Sequence, residues 1–223
     1  MIAELLPFRV EYQGADSGAA PIVVERLAAE DVDEALASSI IRVNRDAYAA
    51  QFGDTMIPRR VIMQQLNPDD SSVVAERQRL IRKRIEDGRA QYWVSWDEEG
   101  TALRGLSKVM PMRGMVYVGD VMVAPPWRGG VGTRLLHAPL VYDGHPDSSR
   151  VELDAFEGSS VNRWYVKLGF KPTVLEDSFE MGDYSLLTRR LVVPSTIGLR
   201  GLVRRMEQQT PALTKRRVLP AGS

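Results

Sequence analysis

The chain has no cysteine and only two histidines, His137 and His145, in 223 residues. The first absence excludes disulfides, thiolate zinc sites and cysteine nucleophiles. The second leaves too few imidazoles for a histidine-based metal cluster, so no metal is expected as a cofactor. Net charge is missing too. Lys+Arg and Asp+Glu both number 29, so the overall field favours no particular partner. No apolar run reaches the length of a membrane span, and no transmembrane segment is expected. The opening MIAELLPFRVEYQG has neither a basic n-region nor a long h-region, so no signal peptide is read there. A cysteine-free chain fits a reducing cytosol, and the expected location is cytoplasmic.

Hydrophobic residues make up 44% and charged residues 26%, which suits a globular protein with its own core. The expected division is an extension over 1–20, one domain over 21–191 and a tail over 192–223. A short strand over 21–27 leads to a helix on which Val32, Leu36, Ile40, Val43 and Ala47 recur at three- and four-residue steps. Asp31 and Asp33 suit its positive end. Pro58 breaks any simple continuation. Asn67-Pro68-Asp69-Asp70 reads as the next helix opening, with Asn67 as cap and Gly88 as the stop. Val74, Ala75, Leu80, Ile81 and Ile85 give that helix a buried stripe. Arg77, Arg79, Arg82, Lys83 and Arg84 give it a solvated basic face.

Three strands follow by short connections: 91–96, 102–110 (ended by Pro111) and 115–124. They imply an antiparallel meander. A strand over 151–156 is reached through a helix, which places it parallel to the strand ending at Val123. A helix over 161–168 stops at Gly169, and strands over 170–175 and 184–191 close the sheet. Residues 192–223 carry a net charge of +5, leaving −5 on 1–191. Ile197, Leu199, Leu202, Val203 and Met206 can share one face of an amphipathic helix, and a surface-docked or frayed tail is expected. Contact of this tail with RNA or another nucleic acid, or with an anionic membrane, is a second reading.

The stretch 116–136, VYVGDVMVAPPWRGGVGTRLL, organises the rest. Its strand is stopped by Pro125-Pro126, which have no N–H to give. A glycine-rich turn then opens a helix at Arg134-Leu135-Leu136. Glycines let backbone amides approach an anion, and a helix N-terminus favours negative charge. A P-loop would need GxxxxGK[ST], and no lysine follows here. A dinucleotide fingerprint would want a small residue where Leu135 stands.

Two motifs carry a resemblance. Val121-Met-Val-Ala-Pro-Pro-Trp-Arg-Gly-Gly-Val-Gly-Thr-Arg-Leu-Leu136 resembles the acetyl-CoA signature of the GNAT superfamily of N-acetyltransferases. Trp164-Tyr165-Val166-Lys167-Leu168-Gly169-Phe170 resembles that family's recurrent YxKLGF. The resemblance covers about 21–191. It implies an α/β (α+β) fold with a mixed, mostly antiparallel central sheet. Helices would lie on both faces, and a splayed strand pair would receive acetyl-CoA. Two departures stand out. The glycine loop is one residue short, so Trp127 falls where Arg or Gln is expected and Arg128 falls one place later. The family asparagine ahead of the tyrosine is replaced by Gly158, with Asn162 only three residues before Tyr165.

The chemistry the resemblance implies is acetyl transfer from acetyl-CoA to a primary amine by direct attack, with CoA as product. The implied cofactor contacts are Val121, Met122 and Val123 on the splayed strand, then Arg128, Gly129, Gly130, Val131, Gly132 and Thr133 at the turn, with Asn162 and Tyr165 beyond. Tyr165 is the candidate general acid, since a phenol of reference pKa about 10 holds its proton at neutral pH. Asp120 is the first candidate base, with Glu152, Asp154 and Glu157 as alternatives. Trp127 and Trp164 are candidate walls. The acceptor, a small-molecule or peptide amine, is left open, as is the choice between monomer and homodimer. The second reading is a non-catalytic acyl-CoA-binding regulatory or interaction module on the same fold. Transfer of a longer acyl group is a third.

Overall fold

The computed structural model describes residues 8–13, 20–127, 129–146, 149–157 and 159–219, the side chains of 53–56 excepted. The strands are β1 (Arg9–Tyr12), β2 (Ile22–Arg26), β3 (Gln91–Trp96), β4 (Leu103–Met112), β5 (Met115–Val123), β6 (Arg150–Phe156), β7 (Lys171–Met181), β8 (Tyr184–Val192) and β9 (Arg216–Leu219). The α-helices are α1 (Glu34–Met56), α2 (Arg59–Gln65), α3 (Ser71–Glu86), α4 (Val131–Tyr142), α5 (Ser160–Leu168) and α6 (Gly198–Gln209). Among the described residues the strands form one sheet in the order β7-β8-β6-β5-β4-β3-β2-β1-β9. The β5–β6 pair is parallel and the other pairs are antiparallel, as the meander and the crossover helix require.

Side chains alternate across the sheet and sort into two layers. Tyr92 and Val94 of β3 pack with Leu36, Ile40 and Val43 of α1 and Ile81 of α3. Trp93, between them in sequence, packs on the other face with Leu135 and Leu136 of α4 and Leu202 and Met206 of α6. The helix α1 starts where the Asp33 carboxylate accepts the Leu36 amide at 2.7 Å. It ends because Ile57, ahead of Pro58, is driven to an extended backbone (φ −127, ψ 125). α1 also buries a second stripe, Ala37, Ile41, Tyr48 and Phe52, against α2 and the β7–β8 hairpin.

Several boundaries differ from the sequence reading. The cap of α3 is Asp70, whose carboxylate accepts from Ser72 and Val73 amides at 2.9 and 3.3 Å. Asn67 instead closes a local turn onto the Asp69 amide at 3.1 Å. Ala75 is exposed rather than part of the buried stripe. Pro111 does not end β4. It pairs opposite Val116 next to the hairpin tip, where losing one N–H costs little. β7 runs on to Met181, and Pro139 sits inside α4, which continues to Tyr142.

The segment after β8 is built into the body of the protein rather than frayed. Leu199, Leu202 and Met206 of α6 are buried against α4, each burial contributing about 1.5–3 kcal/mol. β9 then adds to β1, from Arg9↔Leu219 to Tyr12↔Arg216. A buried polar chain fastens this end. The Tyr12 hydroxyl meets His137 Nδ1 at 3.0 Å, and His137 Nε2 faces Glu207 at 3.4 Å. Arg216 reaches both Glu207 and the Tyr142 hydroxyl at 2.9 Å. Burial holds the His137 imidazole down at about 4, with Arg216 adding to the effect.

Candidate active site

The sheet opens between its two parallel strands. β5 and β6 are paired from Met115↔Arg150 to Val118↔Leu153 and no further. Beyond that point β5 stays with β4 as far as Gly105↔Val123, and β6 stays with β8 as far as Phe156↔Thr188. A gap therefore lies between 120–123 and 154–156. A bulge starts it. Lys108 pairs with Asp120 and Val109 with Val118, so Gly119 is an extra residue on β5. A methyl group on Gly119 would collide with the aliphatic chain of Lys108, so the glycine lets that lysine cross the bulge. Lys108 Nζ then meets Asp120 Oδ2 at 2.5 Å.

The glycine turn sits at the end of β5. Pro125–Trp127 form one 3-10 turn, and Gly129 and Gly130 follow at φ 134 and 109, values that favour glycine. The first intrahelical bond of α4 runs from the Arg134 amide to the Gly130 carbonyl at 3.2 Å. The amides of Val131, Gly132 and Thr133 come before it and have no acceptor within the helix. Gly132 presses on β5, since a Cβ there would lie 3.3 Å from Val123 Cγ2. The buried Arg134 guanidinium lies beneath the turn, donating to the carbonyls of Gly130 (3.1 Å) and Gln13 (3.3 Å). A cavity of about 310 Å³ is bounded by this turn, by Val121, Met122 and Val123, and by Gln51 of α1 and Trp164 of α5. Arg128 lies outside the described residues.

A second cavity of about 210 Å³ shares Gln51, Val121, Met122 and Val161 with the first and extends it through the strand gap. Tyr165 and Asp120 both line it. Burial raises the Tyr165 phenol well above its ordinary value, and the nearby Asp120 charge adds to this. Asp154 also lines the cavity, held by Arg190 at 2.9 Å and by the Tyr117 hydroxyl at 2.5 Å. Burial alone would raise its pKa, but the hydrogen bonds from Arg190 and Tyr117 outweigh it and leave it lowered. Glu152 pairs with Arg150 and, at 3.7 Å, with Arg190; Glu157 pairs with Arg189 at 2.8 Å.

Tyr165 has a structural duty as well. Gly169 and Phe170 amides bond back to the carbonyls of Val166 (3.0 Å) and Tyr165 (3.2 Å), and the Phe170 ring packs edge-on to Tyr165 at 5.5 Å. This is a Schellman close with its hydrophobic clasp, so the Tyr-x-x-Leu-Gly-Phe spacing is in part the spacing of a helix ending. Asn162 lines neither cavity; its amide donates to Ser159 Oγ at 3.1 Å as part of the α5 cap. Trp127 also stays out of both, with the Arg104 guanidinium 4.6 Å from its ring centre. Sequence reasoning missed Lys108, Tyr48, Gln51, Phe156 and Phe179. A glycine inside a strand is the usual mark of a bulge, and Gly119 could have pointed to Lys108.

Strand order, the splay and the glycine turn at its mouth together match one known architecture. The chain carries the GNAT fold. Among solved structures, the PaiA N-acetyltransferase from Thermoplasma acidophilum, in complex with coenzyme A, aligns at a TM-score of 0.51 and 14% identity, over 74% of this chain and 97% of that one. The ribosomal-protein-S5-alanine acetyltransferase from Vibrio fischeri aligns at 0.54 and 12% identity, over 77% and 91%. FdhC, a nucleotide-linked sugar GNAT, aligns at 0.57 and 10% identity, over 85% and 93%. No family description and no curated protein matches the sequence. In this GNAT fold, 21–191 holds the two cavities, while β1 and β9 extend the sheet beyond them.

Proposed function

We propose that the protein is an acetyl-CoA-dependent N-acetyltransferase acting on a primary amine. The observation that carries this reading is one continuous hollow. It runs from free amides at a helix N-terminus, through the gap between two parting strands, to a phenol and a carboxylate. The residues present suit the cosubstrate. Amides over 129–133 can hold a pyrophosphate, Arg134 adds positive charge beneath them, and the edge of β5 over 121–123 that β6 leaves unpaired can accompany an extended arm. Arg128 is added to this group from its position in the sequence alone. When bound, acetyl-CoA supplies an acetyl thioester.

Asp120 faces the incoming ammonium. Lys108 occupies one of its oxygens, and a carboxylate has further lone pairs with which to take a proton, directly or through water. The freed amine lone pair forms the N–C bond while the C–S bond breaks. Of the two protons the ammonium gives up, one leaves through Asp120 to solvent. Tyr165 supplies the departing sulfur with a proton and is refilled from the amine nitrogen. A phenol whose pKa is raised by burial is suited to this, because it does not stay ionised. Tyr165→Phe is expected to keep acetyl-CoA affinity by calorimetry and to lower turnover about 10²-fold or more in a thiol-release assay. Equal turnover, with chemistry shown to limit the rate, would remove Tyr165 from this role.

The second reading, a CoA-binding module without turnover, is favoured by the Lys108–Asp120 pair and by the clasp role of Tyr165. Acetyl-CoA binding with no thiol released across a broad amine panel would select it.

A further inference from the structure

The acceptor end of the hollow has a composition that selects among amines. Three aromatic rings are brought together there from α1, β6 and β7. Phe156 and Phe179 lie edge to face at 5.2 Å, and Tyr48 leans on Phe179 at 5.6 Å. All three line the cavity; Tyr48 belongs to a buried cluster with Phe52, and the partly buried Phe156 and Phe179 pack against it. Three ionisable carboxyls, Asp120, Asp154 and Asp177, line the same cavity. No lysine or arginine lines this cavity among the described residues. The cations that balance two of these acids, Lys108 and Arg190, reach them from β4 and β8 without lining the cavity. Arg77 of α3 acts on Tyr48 but lines neither cavity.

We propose that the acceptor is a compact amine joined to an aromatic or bulky apolar body and carrying no carboxylate or phosphate. The inference rests on the acetyl-transfer reading of the same site. A carboxylate next to the amine would meet Asp120 or Asp154 with no cation lining the cavity to hold it, and like charges placed together are strongly rejected. An aromatic ring fills the side formed by Phe156, Phe179 and Tyr48, where it removes apolar surface from water and meets ring edges and faces in favourable geometry. A volume of about 210 Å³ is enough to hold a ring and its short amine arm. Binding is of the ammonium form, with Asp120 closest to the charge. The transfer step balances as written above: an N–C bond forms, a C–S bond breaks, and the products are the amide, the free thiol and one proton.

The test uses the purified full chain with saturating acetyl-CoA, thiol release as the rate signal and mass spectrometry of the product. Four acceptors suffice: phenethylamine, phenylalanine, methylamine and spermidine. Phenethylamine is expected to exceed phenylalanine in kcat/KM by roughly 100-fold or more, the cost of the added carboxylate. It is expected to exceed methylamine by at least about tenfold, the gain from burying the ring. Phe179→Ala should cut the preference of phenethylamine over methylamine about tenfold, while Phe179→Leu, which keeps the volume, should cut it less. Equal use of phenylalanine, or a preference for spermidine indifferent to both Phe179 variants, overturns the inference and leaves acetyl transfer standing. Acetyl-CoA binding with no thiol released from any of the four, nor from a wider amine panel, overturns the acetyl-transfer reading itself and the inference with it.

Discussion

Gly105 offers the sharpest test of how the strands hold the site. It lies on β4 directly opposite Val123. A methyl group there would sit 2.5 Å from the Met122 carbonyl oxygen, 2.9 Å from Leu135 Cδ1 and 3.2 Å from Val123 Cα. Two of these atoms are backbone of β5, at Met122 and Val123, which help to bound the glycine-turn cavity. The third belongs to a fully buried leucine of α4. None is the free end of a mobile side chain, so Gly105→Ala has to push β5 and α4 apart. Overpacking of this kind costs about 1–3 kcal/mol. For a chain of this size each kcal/mol lowers Tm by about 2–4 °C, so a fall of roughly 2–12 °C is expected. The same shift misplaces 121–123 relative to the turn, and acetyl-CoA affinity should fall about tenfold or more, since small misplacements at such sites have large effects. Calorimetric melting and titration with acetyl-CoA read the two effects. Gly114→Ala is the control. At φ 71 with nothing within 4 Å, it carries only the backbone cost of about 1–2 kcal/mol and leaves acetyl-CoA affinity unchanged. An unaltered Tm and affinity in Gly105→Ala would refute the claim that β4 and β5 define the cavity wall.

The ends of α4 and its neighbours predict an unusual pH response. Burial holds His137 at about 4, below its ordinary 6.5, so as pH falls through that window the unfolded chain takes up a proton the folded one refuses, and stability drops. Asp143 acts in reverse. Burial lifts it from 3.8 to about 7, against the pull of Trp93 and Arg26, so stability drops as pH rises through that window. Between about pH 4 and 6.5 the two oppose each other. In urea melts over this range, His137→Gln should turn the slope downward with rising pH and Asp143→Asn should turn it upward, by at most about 1.4 kcal/mol per pH unit; identical slopes in both would refute the assignment. Lys108→Met should cost about 1–3 kcal/mol by leaving Asp120 half-buried and unpaired. Adding Asp120→Asn should recover part of that, whereas simple additivity would deny the pair. Leu202→Ala in α6 should cost about 2–5 kcal/mol by equilibrium unfolding; a loss under 1 kcal/mol would mean that the C-terminal helix is not part of the core.

Where the sequence was readable, a local cause made it so. The stripe on α1 is a helical period, the strands over 91–123 are joined by short turns, and the 116–136 stretch compresses strand, turn and helix start into one run. The α3 cap was misread because Asn67 and Asp70 are both good caps. Only the fold decides which amide each one faces. The stretch that holds β1 could be read as a strand or as a surface segment, but β9 left no trace, being four residues long, charged, and paired to β1 over a gap of more than 200 residues. The same holds at the site. Glycine spacing announced the turn ahead of α4, which is local. Tyr48, Phe156 and Phe179 meet only because α1, β6 and β7 converge, and no periodicity within any one of them signals that.

The pairing of β1 with β9 also sets a schedule for folding. β1 lies between β2 and a strand that is made about 200 residues later, and Tyr12 on it is completed by His137 and the Arg216–Glu207 pair. During synthesis, the early strand therefore waits with an open edge while the intervening residues, about 200 of them, are made. Contacts of such sequence separation form slowly, because the loop must close before any of them is rewarded. A nascent chain stalled before residue 216 should hold the meander and the cavities yet show an unprotected β1 in hydrogen exchange, with protection arriving only once 216–219 have emerged.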